Sequence, residues 1–334
     1  MAKLFTDQRP LRWGIIGCGD VTEVKSGPPY QLTRGFELAA VMRRDEAKLH
    51  DYARRHGVPK TYTDADALIN DPEIDAVYIA TPPDSHREYA LRVAAAGKPC
   101  CIEKPLAPSY ADSRAIVDAF AGRDLPLFVA YYRRTLPRFE RVREWLQSGA
   151  IGMVRHIDWQ LCKPPSALDR AGKENWRTES RVAPGGYFDD LASHGLDLFV
   201  HYLGEIKDVR GFSLNQQGLY TARDAFTACW LHKSGVTGAG SWNFGTQERV
   251  DRVAIFGSEG TIRFSLFDDN PVELRTATTE EALHVDHPEH VQRPHVEAMA
   301  RHLFEEGYVH PSSGRSALHT SWVMDQILGG ANVS

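Results

Sequence analysis

The chain has 334 residues, of which 42% are hydrophobic and 25% are charged, a composition that supports a packed interior and argues against disorder. Its 39 basic and 44 acidic residues give a formal net charge of -5, which argues against a protein whose main role is to bind nucleic acid. The length suits two domains of ordinary size.

Short apolar runs alternate with helix-like segments in the first part of the chain. The predicted strands are Leu11–Gly17, Phe36–Met42, Ala76–Ala80, Pro99–Glu103 and Pro126–Tyr131. The predicted helices are Asp45–His56, Arg87–Ala96 and a helix that Ser109 caps and that continues to Phe120, each followed by a glycine. This alternation is typical of parallel strands with right-handed crossovers. We therefore expect an α/β fold, with a doubly wound Rossmann sheet in residues 1–133.

The second part of the chain has a different pattern. A helix is predicted over Arg138–Ser148, and the chain end is helical over Ser316–Leu328. Between them, glycine turns join longer strands in two predicted hairpins, Ala225–His232 with Val236–Phe244 and Arg252–Phe256 with Thr261–Leu266. We therefore expect an α+β domain with antiparallel strands in residues 134–334.

A glycine-rich loop follows the first predicted strand. Its sequence is Gly17-Cys18-Gly19-Asp20-Val21-Thr22, close to the dinucleotide-binding pattern G-x-G-x-x-G with threonine at the third glycine. The first glycine permits a tight turn and the second lets backbone amides approach a pyrophosphate. Gly17, Gly19, Asp20 and Val21 are therefore predicted to bind a dinucleotide, although an isolated G-x-G can also be an ordinary turn.

Two arginines, Arg43 and Arg44, follow the second predicted strand. NAD-binding domains place an acidic residue there, which accepts hydrogen bonds from the ribose hydroxyls. A guanidinium group instead matches the geometry of a 2′-phosphate. The alternative is two solvated arginines at a helix start. The pattern favours NADP(H), with NAD(H) as the second choice.

Three further motifs are present in order along the chain. They are Thr81-Pro82-Pro83-Asp84-Ser85-His86, Glu103-Lys104-Pro105 and the segment from Gly185-Gly186 through Asp190 and His194 to Asp197. Together they resemble the Gfo/Idh/MocA oxidoreductases, the family of glucose–fructose oxidoreductase and inositol dehydrogenase. The resemblance covers nearly the whole chain.

The resemblance implies roles for individual residues. Lys104 takes the place of the family's catalytic lysine, and Asp190 and His194 take the places of its catalytic partners. Further cofactor contacts are expected from Thr81, Pro82, His86, Glu103 and Lys104. Substrate contacts are expected from Lys104, Tyr132, Arg133, Trp176, Arg177, Asp190 and His194. The resemblance also implies a large, open, mostly antiparallel sheet in the second domain and assembly into a homodimer or homotetramer.

The expected reaction transfers a hydride between NADP(H) and a secondary alcohol or carbonyl of a sugar, cyclitol or related polyol. His194 can carry the hydroxyl proton near neutral pH. Asp190, four residues earlier, would project from the same helix face. Lys104 at a strand end can stabilise a developing alkoxide. Each feature alone is common in structural contexts, such as a solvated Asp–His pair. The alternative function is a non-catalytic regulator that senses pyridine nucleotides.

Two further features concern metals and location. Acidic residues cluster with four histidines, His284, His287, His290 and His295. Because Pro288 and Pro294 would interrupt a helix there, we expect a solvated loop and no metal site.

Five cysteines with no Cys-x-x-Cys motif indicate neither disulfides nor a zinc ribbon. With no long apolar run and no apparent secretory signal, we expect a cytoplasmic protein that contacts no membrane.

Overall fold

The computed structural model of the protein describes residues 9–173 and 175–329. The described chain divides into two compact units. The first unit extends to Leu136 and includes His287–Leu318, and the second contains Pro137–Asp286 and the residues from His319 onward. The predicted boundary near residue 133 lies close to the first division. The return of His287–Leu318 to the first unit was not predicted, because periodicity identifies a helix but not its packing partner.

Strands of the first unit alternate with helices. They are β1 (Leu11–Ile16), β2 (Phe36–Met42), β3 (Lys60–Tyr62), β4 (Ala76–Ile79), β5 (Cys100–Ile102) and β6 (Leu127–Val129). All pair in parallel, in the order β3-β2-β1-β4-β5-β6. The doubly wound parallel sheet is thus confirmed. The strand β3 was not predicted, because its three half-buried residues are too few to show the hydrophobic alternation of a strand.

Strands of the second unit form a separate sheet. They are β7 (Val154–Cys162), β8 (Ile206–Leu214), β9 (Ala225–His232), β10 (Thr237–Asn243), β11 (Val250–Gly257), β12 (Gly260–Phe264), β13 (Val272–Thr276) and β14 (Glu280–Leu283). Their order is β14-β13-β12-β11-β7-β10-β9-β8, and all neighbours are antiparallel except β7 and β10. This confirms the large, mostly antiparallel sheet and both predicted hairpins.

The helices flank these sheets within their own units. They are α1 (Asp20–Glu23), α2 (Pro29–Leu32), α3 (Glu46–His56), α4 (Ala65–Ile69), α5 (His86–Ala95), α6 (Tyr110–Ala121), α7 (Pro137–Gln147), α8 (Ala167–Arg170), α9 (Tyr187–Leu203), α10 (Arg293–Phe304) and α11 (Gly314–Gly329). The division between the units falls within α11. No helix in residues 9–173 or 175–329 is long and apolar enough to cross a membrane.

Local capping explains several helix ends in the first unit. The Asp45 side chain accepts from the backbone N–H of Lys48 at the start of α3, and Gly57 ends that helix in a left-handed conformation. Ser109 caps α6 by accepting from the backbone N–H of Asp112, as predicted. These caps fix where the helices begin and end.

The expected solvated loop around the histidines is wrong for its last member. His295 lies in α10, which Pro294 does not interrupt because it occupies the first turn, where proline needs no backbone hydrogen-bond donor. The His295 side chain is fully buried. The preceding residues 284–288 have no regular structure, as expected. Within the described ranges, no cluster of three His, Cys, Asp or Glu side chains could hold a metal ion.

The helix α9 packs on the sheet of the second unit with an almost fully buried surface. Phe188 stacks on Phe226 of β9 and contacts the edge of Trp242 of β10. Trp159 of β7 packs edge-on against Trp242 and against Phe199 of α9. Rings of this size contribute much of the apolar area that holds a helix on a sheet. The position of α9 matters because it carries the predicted catalytic pair.

Candidate active site

The glycine loop after β1 has the backbone geometry that the sequence pattern predicts. Gly17 has a φ of +92°, and a Cβ there would lie 2.7 Å from Cγ2 of Thr81. A Cβ on Gly19 would have no neighbour nearer than 3.9 Å, so the backbone at this residue is open to approach. The Thr22 hydroxyl donates to the Gly19 carbonyl (2.8 Å) and closes the loop. The loop therefore fits a ligand that binds against main-chain atoms.

The arginine after β2 lies against this loop. Nη1 of Arg43 donates to the Cys18 carbonyl (2.9 Å), and its side chain is half-buried, whereas Arg44 is exposed. The nearest acidic residue in sequence, Asp45, is engaged as the cap of α3, and this bond to the Lys48 amide is the main cause that lowers the pKa of its carboxyl. The end of β2 therefore presents a guanidinium group beside the glycine loop.

His86 connects the loop after β4 to the turn after β5. Its ring is fully buried, with Nε2 facing the Thr81 carbonyl (2.8 Å) and Nδ1 facing the carbonyls of Pro105 (3.1 Å) and Leu106 (3.2 Å). Burial lowers the pKa of His86, which the three carbonyls oppose. Both ring nitrogens of His86 therefore face backbone carbonyls, one on the Thr81 loop and two in the turn after β5. Pro82 is exposed and Thr81 is half-buried on the same loop.

The Glu103 carboxylate is held by three donors at the end of β5. Its Oε1 accepts from the Tyr78 hydroxyl (2.6 Å) and from Nε2 of Gln292 (2.7 Å), and Oε2 accepts from the backbone N–H of Lys104 (3.2 Å). The Lys104–Pro105 peptide is cis. The side chain of Lys104 is partly exposed. These hydrogen bonds fix the backbone from which Lys104 projects. The bonds from Tyr78 and Gln292 to Glu103 could not be predicted from the sequence.

Tyr132 and Arg133 begin a short 3-10 turn in the first unit. Nη1 of Arg133 donates to the Tyr132 hydroxyl (2.9 Å), and its guanidinium carbon lies 5.1 Å from the centre of the Tyr132 ring. Arg133 is buried and Tyr132 is half-buried. The two side chains therefore form one polar unit, and their contact with a substrate stays a prediction.

The predicted catalytic pair of the second unit lies near the start of α9. Gly186 caps the helix with a φ of +58°, and a Cβ there would lie 3.0 Å from the Arg177 carbonyl oxygen. Asp190 and His194 are one helical turn apart and both are buried. The His194 ring centre lies 6.0 Å from that of Phe267. The helix therefore presents a carboxylate and an imidazole on one face, as predicted.

Arg177 joins this pair through a short ion pair. Its Nε donates to Oδ2 of Asp190 (2.6 Å), and its guanidinium carbon lies 4.3 Å from the centre of the Trp176 ring. The Asn175 side chain accepts from the backbone N–H of Arg177 (3.0 Å) and shapes the turn. The sequence predicted Arg177 as a substrate contact, but it gave no indication of the bond to Asp190.

A second cation near α9, the Lys163 ammonium, was not predicted from the sequence. Lys163 directly follows β7, and its Nζ lies 4.3 Å from the centre of the Tyr187 ring in the first turn of α9. Neither β7 nor Lys163 was predicted, and the sequence shows only a lysine directly before the pair Pro164-Pro165. The structure thus groups Lys163, Arg177, Asp190 and His194 within the second unit. Within the first unit it groups the glycine loop with Arg43 and with the Thr81 loop.

Two family models match the chain. Residues 11–131 match a model described as an oxidoreductase family with an NAD-binding Rossmann fold, and residues 139–263 match the Gfo/Idh/MocA C-terminal domain. Oxidoreductase P35 of Formosa agariphila is 38% identical over 96% of this chain and 98% of its own length. The chain belongs to the Gfo/Idh/MocA oxidoreductase family. The resemblance stated from the sequence motifs is confirmed.

Two further similar proteins have lower sequence identity to this chain. Myo-inositol 2-dehydrogenase of Thermotoga maritima is 28% identical over 81% of this chain and 79% of its own. A structure of levoglucosan dehydrogenase in complex with NADH and levoglucosan superposes with a TM-score of 0.84 at 22% identity, over 97% of both chains, which shows that the fold is shared. As a member of this family the chain is an NAD(P)-dependent dehydrogenase or reductase. The prediction of an enzyme is thus confirmed, against the alternative of a non-catalytic regulator.

Proposed function

We propose that this enzyme uses NADP(H) to interconvert a secondary alcohol and a carbonyl on a sugar, cyclitol or related polyol. Family members whose names state a substrate, levoglucosan dehydrogenase and myo-inositol 2-dehydrogenase, support this class of substrate. The buried carboxylate of Asp190 and imidazole of His194, with the half-buried guanidinium of Arg177 beside them, suit a substrate rich in hydroxyl groups, which needs both donors and acceptors.

The observation that supports NADP(H) over NAD(H) is the bond from Arg43 to the glycine loop. The guanidinium lies 2.9 Å from the Cys18 carbonyl and uses only one of its donors in that bond. Its remaining donors suit a phosphate, and the Asp45 carboxyl beside it already caps α3. We propose that Gly17, Gly19, Asp20 and Val21 bind the pyrophosphate and that Arg43 and Arg44 bind the 2′-phosphate.

The remaining contacts to the cofactor are proposed from the same unit. Thr81 and Pro82 lie beside the glycine loop and would border the nicotinamide, while His86 and Glu103 would fix the loops around it. When bound, the cofactor supplies or accepts the hydride.

Lys104, Asp190 and His194 provide the acid–base chemistry in this proposal. His194 holds or releases the hydroxyl proton, and Asp190 orients it. The Lys104 ammonium stabilises the negative charge that develops on the substrate oxygen. Tyr132, Arg133 and Trp176 would contact the substrate, and Arg177 would position Asp190 through their ion pair.

We also propose assembly into two or four copies in the cytoplasm. Phe212 of β8 and Phe256 of β11 are exposed on the eight-stranded sheet, with 49% and 37% of their surface accessible, which suits burial against another copy. All five cysteines are free thiols, as is usual in a reducing compartment. Molecular mass in solution, measured by light scattering, tests the assembly.

The proposed activity is tested by following NADPH absorbance with a panel of keto-sugars and keto-cyclitols, and NADP⁺ reduction with the corresponding alcohols. We expect turnover with at least one member, and its loss in His194→Asn. A wild-type enzyme that binds NADPH but turns over no sugar or cyclitol in either direction would contradict the proposed substrate class.

A further inference from the structure

The second unit contains a lysine in an unusual environment. Lys163 is half-buried at the end of β7, and its ammonium lies over the face of the Tyr187 ring. Among residues 9–173 and 175–329 its Nζ makes neither a hydrogen bond nor an ion pair within 4.0 Å. Most lysines of a protein keep their ammonium in water, so partial burial without a bonded anion has an energetic cost.

The two carboxylates that act on Lys163 through space, those of Asp169 and Asp190, accept hydrogen bonds from other donors. Asp169 accepts from the Tyr187 hydroxyl (2.9 and 3.0 Å) and from the backbone N–H of Ser166 (2.8 Å). Asp190 accepts from Nε of Arg177 (2.6 Å). These carboxylates influence Lys163 through space but do not bond to it.

Burial lowers the pKa of Lys163, and the cations Arg249 and Arg177 lower it further, while Asp169 and Asp190 oppose the shift. Arg249 itself is bonded to Asp268 (2.8 Å). A cation in such surroundings is stabilised when an anion binds next to it, because the anion replaces the water that burial removed.

The position of Lys163 relates it to the proposed catalytic pair. Tyr187, Asp190 and His194 follow one another at steps of three and four residues in α9, and therefore share one face of the helix. Because Lys163 stacks on Tyr187, its ammonium lies at the N-terminal end of the face that carries Asp190 and His194. A substrate that reached this pair would present another of its groups to Lys163.

We infer that Lys163 binds a negatively charged substituent of the substrate, so that the preferred substrate is an anionic sugar or polyol carrying a carboxylate or a phosphate. The inference rests on the proposed function and adds the charge of its substrate. Tyr187 holds the ammonium in place by a cation–π contact, and the aromatic surface keeps water from competing with the anion. Lys163 is thus a specificity-determining residue, whereas Asp190 and His194 act at the reacting carbon.

The test compares sugars that share a ring and differ in charge. Binding to the NADPH-loaded enzyme is measured by calorimetry for D-glucuronate, D-glucose 6-phosphate and D-glucose, and for D-galacturonate and D-galactose. We expect at least one anionic sugar to bind about tenfold or more tightly than its neutral counterpart, the scale of one charge-assisted hydrogen bond. Whether a uronate or the phosphate ester is preferred identifies the anionic group.

A variant and a matched control assign the preference to this lysine. Lys163→Met keeps a flexible chain on Tyr187 without the charge, and it should reduce the anionic-to-neutral ratio about tenfold. Lys207→Met changes an exposed lysine of β8 in the same unit and should leave the ratio as in wild type. Equal affinities within every pair, or a ratio that Lys163→Met leaves intact, would overturn the inference. Turnover of neutral sugars would in that case still support the proposed function.

Discussion

Nε of Arg177 donates to Oδ2 of Asp190 across 2.6 Å, although the two residues lie 13 positions apart in the sequence. The same turn that carries Arg177 also approaches the cap of α9, since a Cβ on Gly186 would come within 3.0 Å of the Arg177 carbonyl oxygen. The loop and the first turn of the helix are thus joined through a side chain and through the backbone. Arg177 is in this way a positioning residue for the carboxylate that we propose orients His194.

Replacing Arg177 by methionine should therefore affect turnover more than substrate binding. We expect a decrease in kcat of about tenfold or more with a smaller change in KM, because Asp190 loses a charge-assisted hydrogen bond. Arg177→Lys should restore part of the loss, since it returns the charge without the planar donor set. Steady-state kinetics with saturating NADPH measures both constants.

The matched control is Arg181→Met, because Arg181 has a side chain that is 81% accessible and pairs only loosely with Glu179 at 3.4 Å. It should behave as wild type. If Arg177→Met raised KM and left kcat intact, Arg177 would act as a substrate contact and not through Asp190.

Lys104 provides the test of the acid–base proposal. Lys104→Ala should lower kcat by roughly two to three orders of magnitude, the usual contribution of one electrostatic or acid–base group. The affinity for NADPH should change far less, because the glycine loop is untouched. Rapid-mixing measurement of NADPH oxidation, together with a fluorescence titration of the cofactor, separates the two effects. Near-wild-type turnover would remove Lys104 from the mechanism.

The buried carboxyl of Asp189 should make the free energy of unfolding depend on pH, independently of catalysis. It is fully buried, its Oδ2 accepts from the backbone N–H of Gly185 (2.8 Å), and within the described part of the chain its Oδ1 has no hydrogen-bond partner. Burial raises the pKa of Asp189 from about 3.8 to about 7. Between these two values the unfolded chain ionises while the folded chain keeps its proton, so this group reduces stability as the pH rises.

Asp189→Asn removes this titration and keeps the acceptor for Gly185. Relative to wild type, the variant should gain several degrees in melting temperature between pH 4.5 and pH 8. The control Asp208→Asn changes an exposed carboxyl of β8 and should show the same difference from wild type at both pH values. Thermal unfolding followed by circular dichroism gives the result, and a pH-independent difference for Asp189→Asn would show that the folded protein already ionises this group.

The sequence indicated those features that depend on local pattern. The limits of β1 and β2 lie within one residue of the predicted strands, because each is an apolar run that ends at a turn or charged residue. The Ser109 cap of α6 was also predictable, since capping depends on neighbours in the chain. The family motifs indicated the large open sheet of the second unit, whereas the predicted helices and hairpins alone indicated only an α+β domain with antiparallel strands.

Features that depend on distant residues were not predictable. Gln292 reaches the Glu103 carboxylate from 189 positions away, and no periodicity connects them. Lys163 gains its environment only when β7 brings it against Tyr187 of α9. The prediction of a solvated loop was wrong at His295, because Pro294 lies in the first turn of α10. Proline breaks the interior of a helix but is accepted in its first turn. For Gln292 and Lys163, tertiary packing decided what the local sequence left open.

Titration of the purified wild-type enzyme with NADPH and with NADH, followed by nucleotide fluorescence, decides whether this oxidoreductase prefers NADP(H). Arg43 at 2.9 Å from the Cys18 carbonyl should favour the 2′-phosphate. Arg43→Asp should remove most of the preference, and Arg44→Asp should show whether the exposed neighbour contributes. We expect wild-type enzyme to bind NADPH about tenfold or more tightly than NADH. Equal affinities, or tighter binding of NADH, would contradict it.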